Sequence, residues 1–267
     1  MSFSLLRILK SSNYILKIPQ IIGSIKNWPT FILNWTGIVN TSSDYYFRNG
    51  IIIKTGEGID TCTINTSFIS QVYDEFNIIN QVIDKNSVTI IDIGGNIGVF
   101  SIYVKRKFPQ AKIYAYEPVP ANFHFLINNI KINKFEKDIL AFQLGVCGKN
   151  GKRKLYLKDS PTHSIFSDKK GSNDYIKIDC ITLQNIFEQN NLEKCDVLKI
   201  DCEGTEYEIL YNTPLFIFNK IKNIIIECHS YSSKKDYNQN SLKNFLTKMN
   251  FEINEKDNIL FAKKINL

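Results

Sequence analysis

The stretch VTIIDIGGNIGVFS, residues 88–101, decides the fold. Its first six residues are mostly β-branched, which predicts a strand buried on both faces. Two consecutive glycines, Gly94 and Gly95, then allow a tight turn and a close approach of the backbone to a ligand. An apolar pattern of helical spacing follows from Val99. A strand, a glycine turn and a helix in this order open a doubly wound nucleotide-binding unit.

The spacing of the glycines separates two cofactors. A dinucleotide fingerprint is G-x-G-x-x-G, with the pyrophosphate on the helix N-terminus. Here the glycines are Gly94, Gly95 and Gly98, and Asp92 stands just before them. A carboxylate at that strand end repels a pyrophosphate but attracts the ammonium and sulfonium of S-adenosylmethionine. The charge therefore favours the methyl donor over NAD. The less favoured alternative is a glycine cluster that only caps a helix and binds no ligand.

Length and composition predict one globular domain with an N-terminal elaboration. The 267 residues are 43% hydrophobic and 22% charged, without a repeat or a low-complexity tract. The formal charge is +7, and residues 1–40 carry four basic residues and no acid. The chain has no lysine and arginine cluster with interleaved aromatic residues, which argues against a nucleic-acid partner.

The cysteines indicate the compartment. All six are scattered, and none forms a C-x-x-C pair, which favours a reducing cytoplasm and argues against a zinc site or a disulfide framework. The sequence shows no apolar run long enough to span a bilayer and no secretory signal. We therefore expect a cytoplasmic protein.

Residues 1–39 allow two interpretations. Apolar clusters alternate with lysines, and Trp28 and Trp35 are present, which predicts amphipathic helices. Such helices either lie on the inner face of the membrane as a peripheral anchor or pack on the catalytic domain or a second subunit. Because basic residues are sparse for attraction to lipid, the packing interpretation is favoured.

The rest of the chain predicts alternating strands and helices. A hairpin is expected over 45–64, helices over 68–83, and a turn-rich loop over 145–151. Thr205 and Glu208 have capping-box spacing, which predicts a short helix that stops before Pro214. Further strands are expected at about 112–116, 139–144, 153–157, 175–179, 196–201, 221–228, 251–255 and 258–263, and helices at about 120–133, 183–189 and 242–249. The pattern is α/β, with a parallel sheet and an antiparallel end.

Four predicted strands end in an acid: Asp92, Glu117, Asp201 and Glu227. In a doubly wound sheet these ends meet at the carboxyl edge, where ligands bind. Since an unpaired buried charge is costly, four such acids together indicate a ligand site. Glu117, 25 residues after Asp92, is placed to bind the ribose hydroxyls of either an adenosyl or an NAD ligand.

The other donor contacts are expected at the glycine turn. Asp92 is assigned to the methionine end of the donor. Gly94, Gly95, Asn96 and Gly98 are expected to offer backbone amides and close approach.

The predicted strand that ends in Asp201 carries the candidate general base. Asp201 or Glu203 is expected to accept a proton from an acceptor hydroxyl. His229 is either a partner or base for them or a loop histidine satisfied by hydrogen bonds. Asp201, Glu203 and His229 together are also a candidate site for a divalent cation, whereas Glu206 is explained by the positive end of its helix. His163 lies in a loop that we expect to cover the acceptor.

The chain resembles the FkbM-type methyltransferase family, a branch of the class I S-adenosylmethionine-dependent enzymes. The resemblance is carried by IDIGGNIGVFS (91–101), YEPVPANFHFLINNI (116–130), GVCGKNG (145–151), ITLQNIF (181–187), DVLKIDCEGTEYEIL (196–210) and IIIECH (224–229). It implies a Rossmann-like, doubly wound, seven-stranded sheet whose last strand is antiparallel. It also implies O-methylation of hydroxyls, often on sugars or natural products.

The resemblance assigns roles to residues. It supports donor binding by residues 92–98, Ser101 and Glu117, to which we add Pro118, next to Glu117, and Gly145, at the start of GVCGKNG. It also supports an active-site role for Lys199 beside Asp201, Glu203 and His229. In such enzymes an acid usually stands near position 148, where this chain has Gly148.

The sequence thus predicts two regions and one activity. Residues 1–43 form an amphipathic helical extension, and residues 44–267 form the methyltransferase domain. The expected reaction is O-methylation of a hydroxyl on a sugar, a glycan or a related metabolite. The alternatives are an NAD-dependent sugar-modifying enzyme and a non-catalytic, methyltransferase-like binding module. The oligomeric state is not indicated.

Overall fold

Seven strands form the central sheet of the computed structural model, which describes residues 12–56, 60–74, 87–156, 175–229 and 235–265. In chain order the strands are β1 (Asp44–Tyr46), β2 (Ile52–Lys54), β3 (Val88–Ile93), β4 (Ala111–Tyr116), β5 (Ile139–Phe142), β6 (Gly145–Val146), β7 (Gly151–Tyr156), β8 (Tyr175–Ile181), β9 (Val197–Ile200), β10 (Asn223–Glu227), β11 (Phe251–Lys256) and β12 (Ile259–Lys264).

The helices flank the strands. They are α1 (Ser12–Ser24), α2 (Trp28–Trp35), α3 (Asp60–Ile64), α4 (Val99–Lys107), α5 (Pro120–Ile132), α6 (Leu183–Gln189), α7 (Glu206–Tyr211), α8 (Leu215–Phe218) and α9 (Gln239–Lys248). A π-helical turn at Asn65–Ile69 continues α3, and a 3₁₀ turn follows at Val72–Asp74.

The strand order of the main sheet is β11-β12-β10-β9-β3-β4-β5. Strands β10, β9, β3, β4 and β5 are parallel, and β12, the last in the chain, is antiparallel to both of its neighbours. This confirms the predicted Rossmann-like sheet, and it places the antiparallel strand second from one edge. The chain reverses direction in the sheet between β3 and β9, which is where a doubly wound sheet binds its ligand.

Strand β3 lies at the centre because both of its faces are buried. Ile90 pairs with Ile113 on one side and with Val197 on the other, and it packs in one core layer. Ile91 and Ile93 pack in the opposite layer, under α6, α7 and α9. The β-branched run therefore forms a fully buried strand, as the sequence predicts.

The N-terminal helices are part of the first core layer. Ile21, Ile25 and Phe31 are fully buried there, and Ile25 forms a β-bridge with Phe47. This packing agrees with the favoured interpretation for the described part of 1–39. Within the described residues, every helix is too short or too polar to cross a bilayer.

Four local predictions need correction. The expected hairpin over 45–64 is the pair β1 and β2, and its last part forms α3 instead. The expected loop over 145–151 begins with the short strand β6, because Gly145 and Val146 pair with β8. The predicted strand over 139–144 ends at Phe142. The helices expected over 68–83 are a π turn and a 3₁₀ turn as far as residue 74, and 75–83 lie outside the described residues.

Candidate active site

A cavity of about 280 Å³ lies at the carboxyl ends of β3, β4, β9 and β10. This is the edge at which the four strand-end acids were expected to meet. The predicted site residues that line the cavity are Gly94, Gly95, Asn96, Glu117, Pro118, Gly145, Lys199, Asp201 and Glu203. Asp92, Gly98, Ser101 and His229 are not among the described lining residues.

Asp92 lies behind the cavity wall in a buried polar network. Its side chain is 0% exposed, and Ser101 Oγ donates a hydrogen bond of 2.7 Å to its Oδ2. Lys199 Nζ is 3.3 Å from Asp92 Oδ1 and 3.5 Å from Asp201 Oδ2, and it donates to the carbonyl oxygen of Gly94. The negative charge of Asp92 is therefore balanced by Lys199 inside the protein, and Asp92 is not among the described residues that line the cavity.

Lys199 stays charged in this network. Burial on its own lowers the pKa of the Lys199 ammonium, but the charges of Asp92 and Asp201 outweigh burial and raise that pKa above its ordinary value. Lys199 thus links the buried acid behind the wall to the acid that faces the cavity.

The glycine turn allows the backbone of β3 and that of β9 to meet. Gly94 has a φ of +78°, and a Cβ there would lie 1.7 Å from the carbonyl oxygen of Asp201. Gly98 has a φ of +88°, and its Cβ would lie 2.6 Å from Leu126 Cδ1. The third glycine of the motif therefore packs α4 against α5 rather than approaching a ligand.

Glu117 presents a carboxylate that is already oriented. Asn96 N donates to its Oε2 and Val119 N donates to its Oε1, both at 2.9 Å. Burial raises the pKa of Glu117 to about 7, although these two hydrogen bonds lower it in part. Each carboxylate oxygen keeps a further lone pair, so the group can accept from two neighbouring hydroxyls.

Tyr73 is a site residue that the sequence analysis missed. Its hydroxyl lies 3.2 Å from Asp201 Oδ2 and 3.4 Å from Glu227 Oε2, so it can donate to either carboxylate. Burial, together with the charges of Asp201 and Glu227, raises the pKa of Tyr73 well above its ordinary value, so the phenol stays protonated. Burial and the charge of Asp201 also raise the pKa of Glu227. Tyr73 follows no periodic pattern, so no local signal identifies it.

His229 lies between two carboxylates. Its Nδ1 is 2.7 Å from Glu206 Oε1, and its Nε2 is 3.6 Å from Glu203 Oε2. Burial would lower the pKa of His229, but the hydrogen bond to Glu206 and the charges of Glu206, Glu203 and Asp201 outweigh it and raise the pKa to about 9. An imidazole that is protonated at neutral pH is a partner for the acids and does not act as a base.

Glu206 lies where the helix dipole predicts, and it has a second role that was not expected. It is the first residue of α7, as a residue favoured by the helix dipole would be, but its side chain is fully buried and turned toward His229. The predicted capping box does not form either. Thr205 makes no cap hydrogen bond and donates to Cys202 Sγ, and Glu208 pairs with Arg153 on β7.

Packing explains why this chain has Gly148 where the family usually has an acid. A Cβ at this position would lie 2.7 Å from Glu208 Cγ and 2.8 Å from the carbonyl oxygen of Glu208, so no side chain fits against α7. The backbone N–H of Gly148 donates to Glu208 Oε1. His163, with its neighbours Thr162 and Ser164, lies outside the described residues.

One group of side chains has the composition of a metal site. Asp201, Glu203 and His229 each offer a ligand atom, and these atoms lie within 4.8 Å of one another. A divalent ion binds neutral imidazole, so it would have to displace the proton that His229 holds between Glu203 and Glu206.

Comparison with known proteins gives a consistent result. The family profile described as "Methyltransferase FkbM domain" matches residues 92–253. "Methyltransferase sdnD" of Sordaria araneosa is 29% identical over 191 residues, which cover 60% of this chain and 71% of that protein. "Hexuronic acid methyltransferase AglP" of Haloferax volcanii is 25% identical over 163 residues, which cover 60% of this chain and 65% of that protein.

A solved structure shares the fold. The METTL16 methyltransferase domain superposes with a TM-score of 0.50 at 10% identity, over 92% of this chain and 90% of that one. The matched family region begins at Asp92 and ends at Ile253, so it includes the strand-end acids, Lys199 and His229.

Proposed function

Because the chain belongs to the FkbM methyltransferase family and is therefore an S-adenosylmethionine-dependent methyltransferase, we propose that it methylates a hydroxyl oxygen of a sugar or glycan. The observation that carries this proposal is the pair Asp201 and Glu203, whose side chains line the same cavity as the glycine turn and Glu117. A carboxylate close to the donor is the group that a hydroxyl acceptor needs, since the hydroxyl must lose its proton.

We assign the donor to the β3–β4 half of the cavity. Glu117 is the proposed ligand of the two ribose hydroxyls, because its oxygens are oriented by Asn96 N and Val119 N. Gly94, Gly95 and Asn96 are proposed to contact the methionine end, with Pro118 and Gly145 along the wall. The described lining of the cavity includes four acids, which suit a cationic adenosyl compound and disfavour a pyrophosphate: Glu117, Asp201, Glu203 and Glu227.

The acceptor is assigned to the β9–β10 half. S-Adenosylmethionine supplies an electrophilic methyl carbon when it is bound. Asp201 is the proposed base: it faces the cavity, and its charge is supported by Lys199 Nζ at 3.5 Å and by the Tyr73 hydroxyl at 3.2 Å. In this scheme Asp201 would accept the proton that the acceptor hydroxyl loses, while the methyl group would pass from the donor sulfur to the acceptor oxygen and the donor would leave as the neutral thioether S-adenosylhomocysteine. Glu203, which lines the cavity, is proposed to orient the acceptor, and the protonated His229 is proposed to position Glu203 from 3.6 Å away.

A sugar acceptor is supported by one relative. AglP is named as a hexuronic acid methyltransferase. The acidic cavity also offers hydrogen-bond acceptors to the hydroxyls of a sugar. The test is transfer of a labelled methyl group to a panel of glycans, with matched thiol and amine acceptors as controls. Label on a sugar with the wild type, and no label on that sugar with Asp201→Asn, would support the proposal. Label on the thiol or amine only, or on none of them, contradicts it, and turnover with NAD would favour the oxidoreductase alternative.

A divalent cation at Asp201, Glu203 and His229 is the second proposal for this site, favoured by the proximity of their ligand atoms. Such an ion would lower the pKa of an acceptor hydroxyl. Loss of activity with EDTA that magnesium restores would support it, whereas full activity in the chelator would remove it.

Residues 12–43, the described part of the extension, are proposed to act as a packed part of the domain, since Ile21 and Phe31 are buried in the shared core. Leu16 is 72% exposed beside Lys17, which keeps contact with a membrane surface open to test. Flotation with anionic liposomes should be the same for the full chain and for Leu16→Asp. A flotation that depends on Leu16 would support a peripheral membrane location.

A further inference from the structure

The helical segment 60–69, which precedes β3, presents three hydroxyl side chains to the cavity. Thr63, Thr66 and Ser67 all line it. Thr66 and Ser67 follow Thr63 by three and four positions, a spacing that puts side chains on one face of a helix. The segment ends in a single π-helical turn, Asn65–Ile69, and such turns are frequent at functional sites. We call Thr63, Thr66 and Ser67 the hydroxyl wall.

Ser67 is the member of the hydroxyl wall whose environment is incomplete. The residue is 1% exposed, and its Oγ has no hydrogen-bond partner among the described residues. Leaving a buried hydroxyl without a partner is costly. Because Ser67 lines the cavity, a bound molecule can supply the missing partner.

The charges around the cavity indicate which group of a bound molecule would be the hydrogen-bond partner of Ser67. Four carboxylates line its described part, and Lys199 is the only basic residue among the described lining residues. Lys199 is already held between Asp92 and Asp201. An anionic group of a ligand is therefore repelled from the strand ends. The hydroxyl wall carries no acid and can donate hydrogen bonds.

The donor has one anionic group. S-Adenosylmethionine ends in an α-amino acid, with an ammonium and a carboxylate on the same carbon. We propose that the hydroxyl wall binds the α-carboxylate of the donor, while the ammonium points toward the acids at the strand ends. This inference rests on the proposed donor site, and it adds a recognition element that lies before the family-matched region at 92–253.

The experiment compares two ligands that differ in this carboxylate alone. S-Adenosylhomocysteine and its decarboxylated analogue, S-adenosyl-3-thiopropylamine, are titrated calorimetrically into the wild type and Ser67→Ala. We expect Ser67→Ala to weaken S-adenosylhomocysteine binding about tenfold and to leave the affinity for the analogue unchanged. Thr63→Val is the second variant, with the same selective loss expected.

Ser70→Ala is the matched control. Ser70 Oγ is also buried and has no hydrogen-bond partner in the described part of the chain, but Ser70 is not among the described residues that line the cavity. It should leave both affinities unchanged. Equal affinities for S-adenosylhomocysteine in the wild type and both wall variants would overturn the inference, and so would an equal loss for both ligands. If the wild type binds neither ligand, the proposed donor site itself fails.

Discussion

Donor binding should depend on pH through Glu117. Burial raises the pKa of this carboxyl from its ordinary 4.5 to about 7, which corresponds to about 3 kcal/mol against the ionised form in the folded protein. The folded protein therefore holds this proton to a higher pH than the unfolded chain does. The contribution of Glu117 to the free energy of unfolding is therefore fully present below pH 4.5. It is lost as the pH rises from 4.5 to 7, and it is absent above pH 7.

A ribose diol donates hydrogen bonds, so it binds the ionised carboxylate. If only that form binds, the apparent affinity for S-adenosylhomocysteine should be about tenfold weaker at pH 6 than its limit at high pH. Binding below pH 7 should also release a proton. Glu117→Ala should weaken binding about 100-fold relative to the high-pH limit of the wild type, because two hydrogen bonds to a charged group are lost. It should also remove the pH dependence, so that the difference from the wild type falls to about tenfold at pH 6.

The assay is calorimetric titration between pH 5.5 and 8, in two buffers of different ionisation enthalpy. The buffers report proton release directly, and Glu117→Ala is the non-titrating control. An affinity that stays constant over this range, or that improves in acid, would refute the assignment of Glu117 to the ribose. A pH dependence that persists in Glu117→Ala would show that another group titrates.

Three more predictions follow from the buried charges. Lys199→Met leaves Asp92 without its cation and should lower the free energy of unfolding in urea by about 3–5 kcal/mol; an unchanged midpoint would contradict the ion pair. Glu206→Gln should move the pKa of His229 from about 9 toward 6.5 in an NMR titration. Since the folded pKa is raised, the stability from this pair is present below pH 6.5 and lost as pH rises through 9, and a pKa that stays near 9 in the variant would refute the pairing. Asp201→Asn should slow turnover more than it weakens donor binding, and the reverse would mean that the donor and acceptor halves are exchanged.

The sequence predicts the centre of the fold closely because the signals there are local. Residues 88–93 form β3 as expected, since a β-branched run closed by glycines has few alternatives. The glycine turn and Glu117 also fall where strand ends were expected. The short strand β6 was missed because Gly145 and Val146 form it only through pairing with β8, a contact that their own sequence does not specify.

The site was less predictable where charges pair through space. Asp92 was expected to face the donor, but Lys199 reaches it from the neighbouring strand and balances its charge. Glu206 has the position of a helix-dipole residue, yet His229 from another strand end turns it inward. Tyr73 reaches the acids from a segment that comes before the motif. Such contacts depend on tertiary packing and have no periodic signature.

The acidic edge of the sheet is the feature that we propose selects a cationic adenosyl donor over a pyrophosphate nucleotide. Titrating the purified chain in parallel with S-adenosylmethionine and with NAD tests this selection most directly. We expect saturable binding of S-adenosylmethionine at one site and no heat of binding with NAD. Tight binding of the pyrophosphate nucleotide, with no response to S-adenosylmethionine, would contradict it.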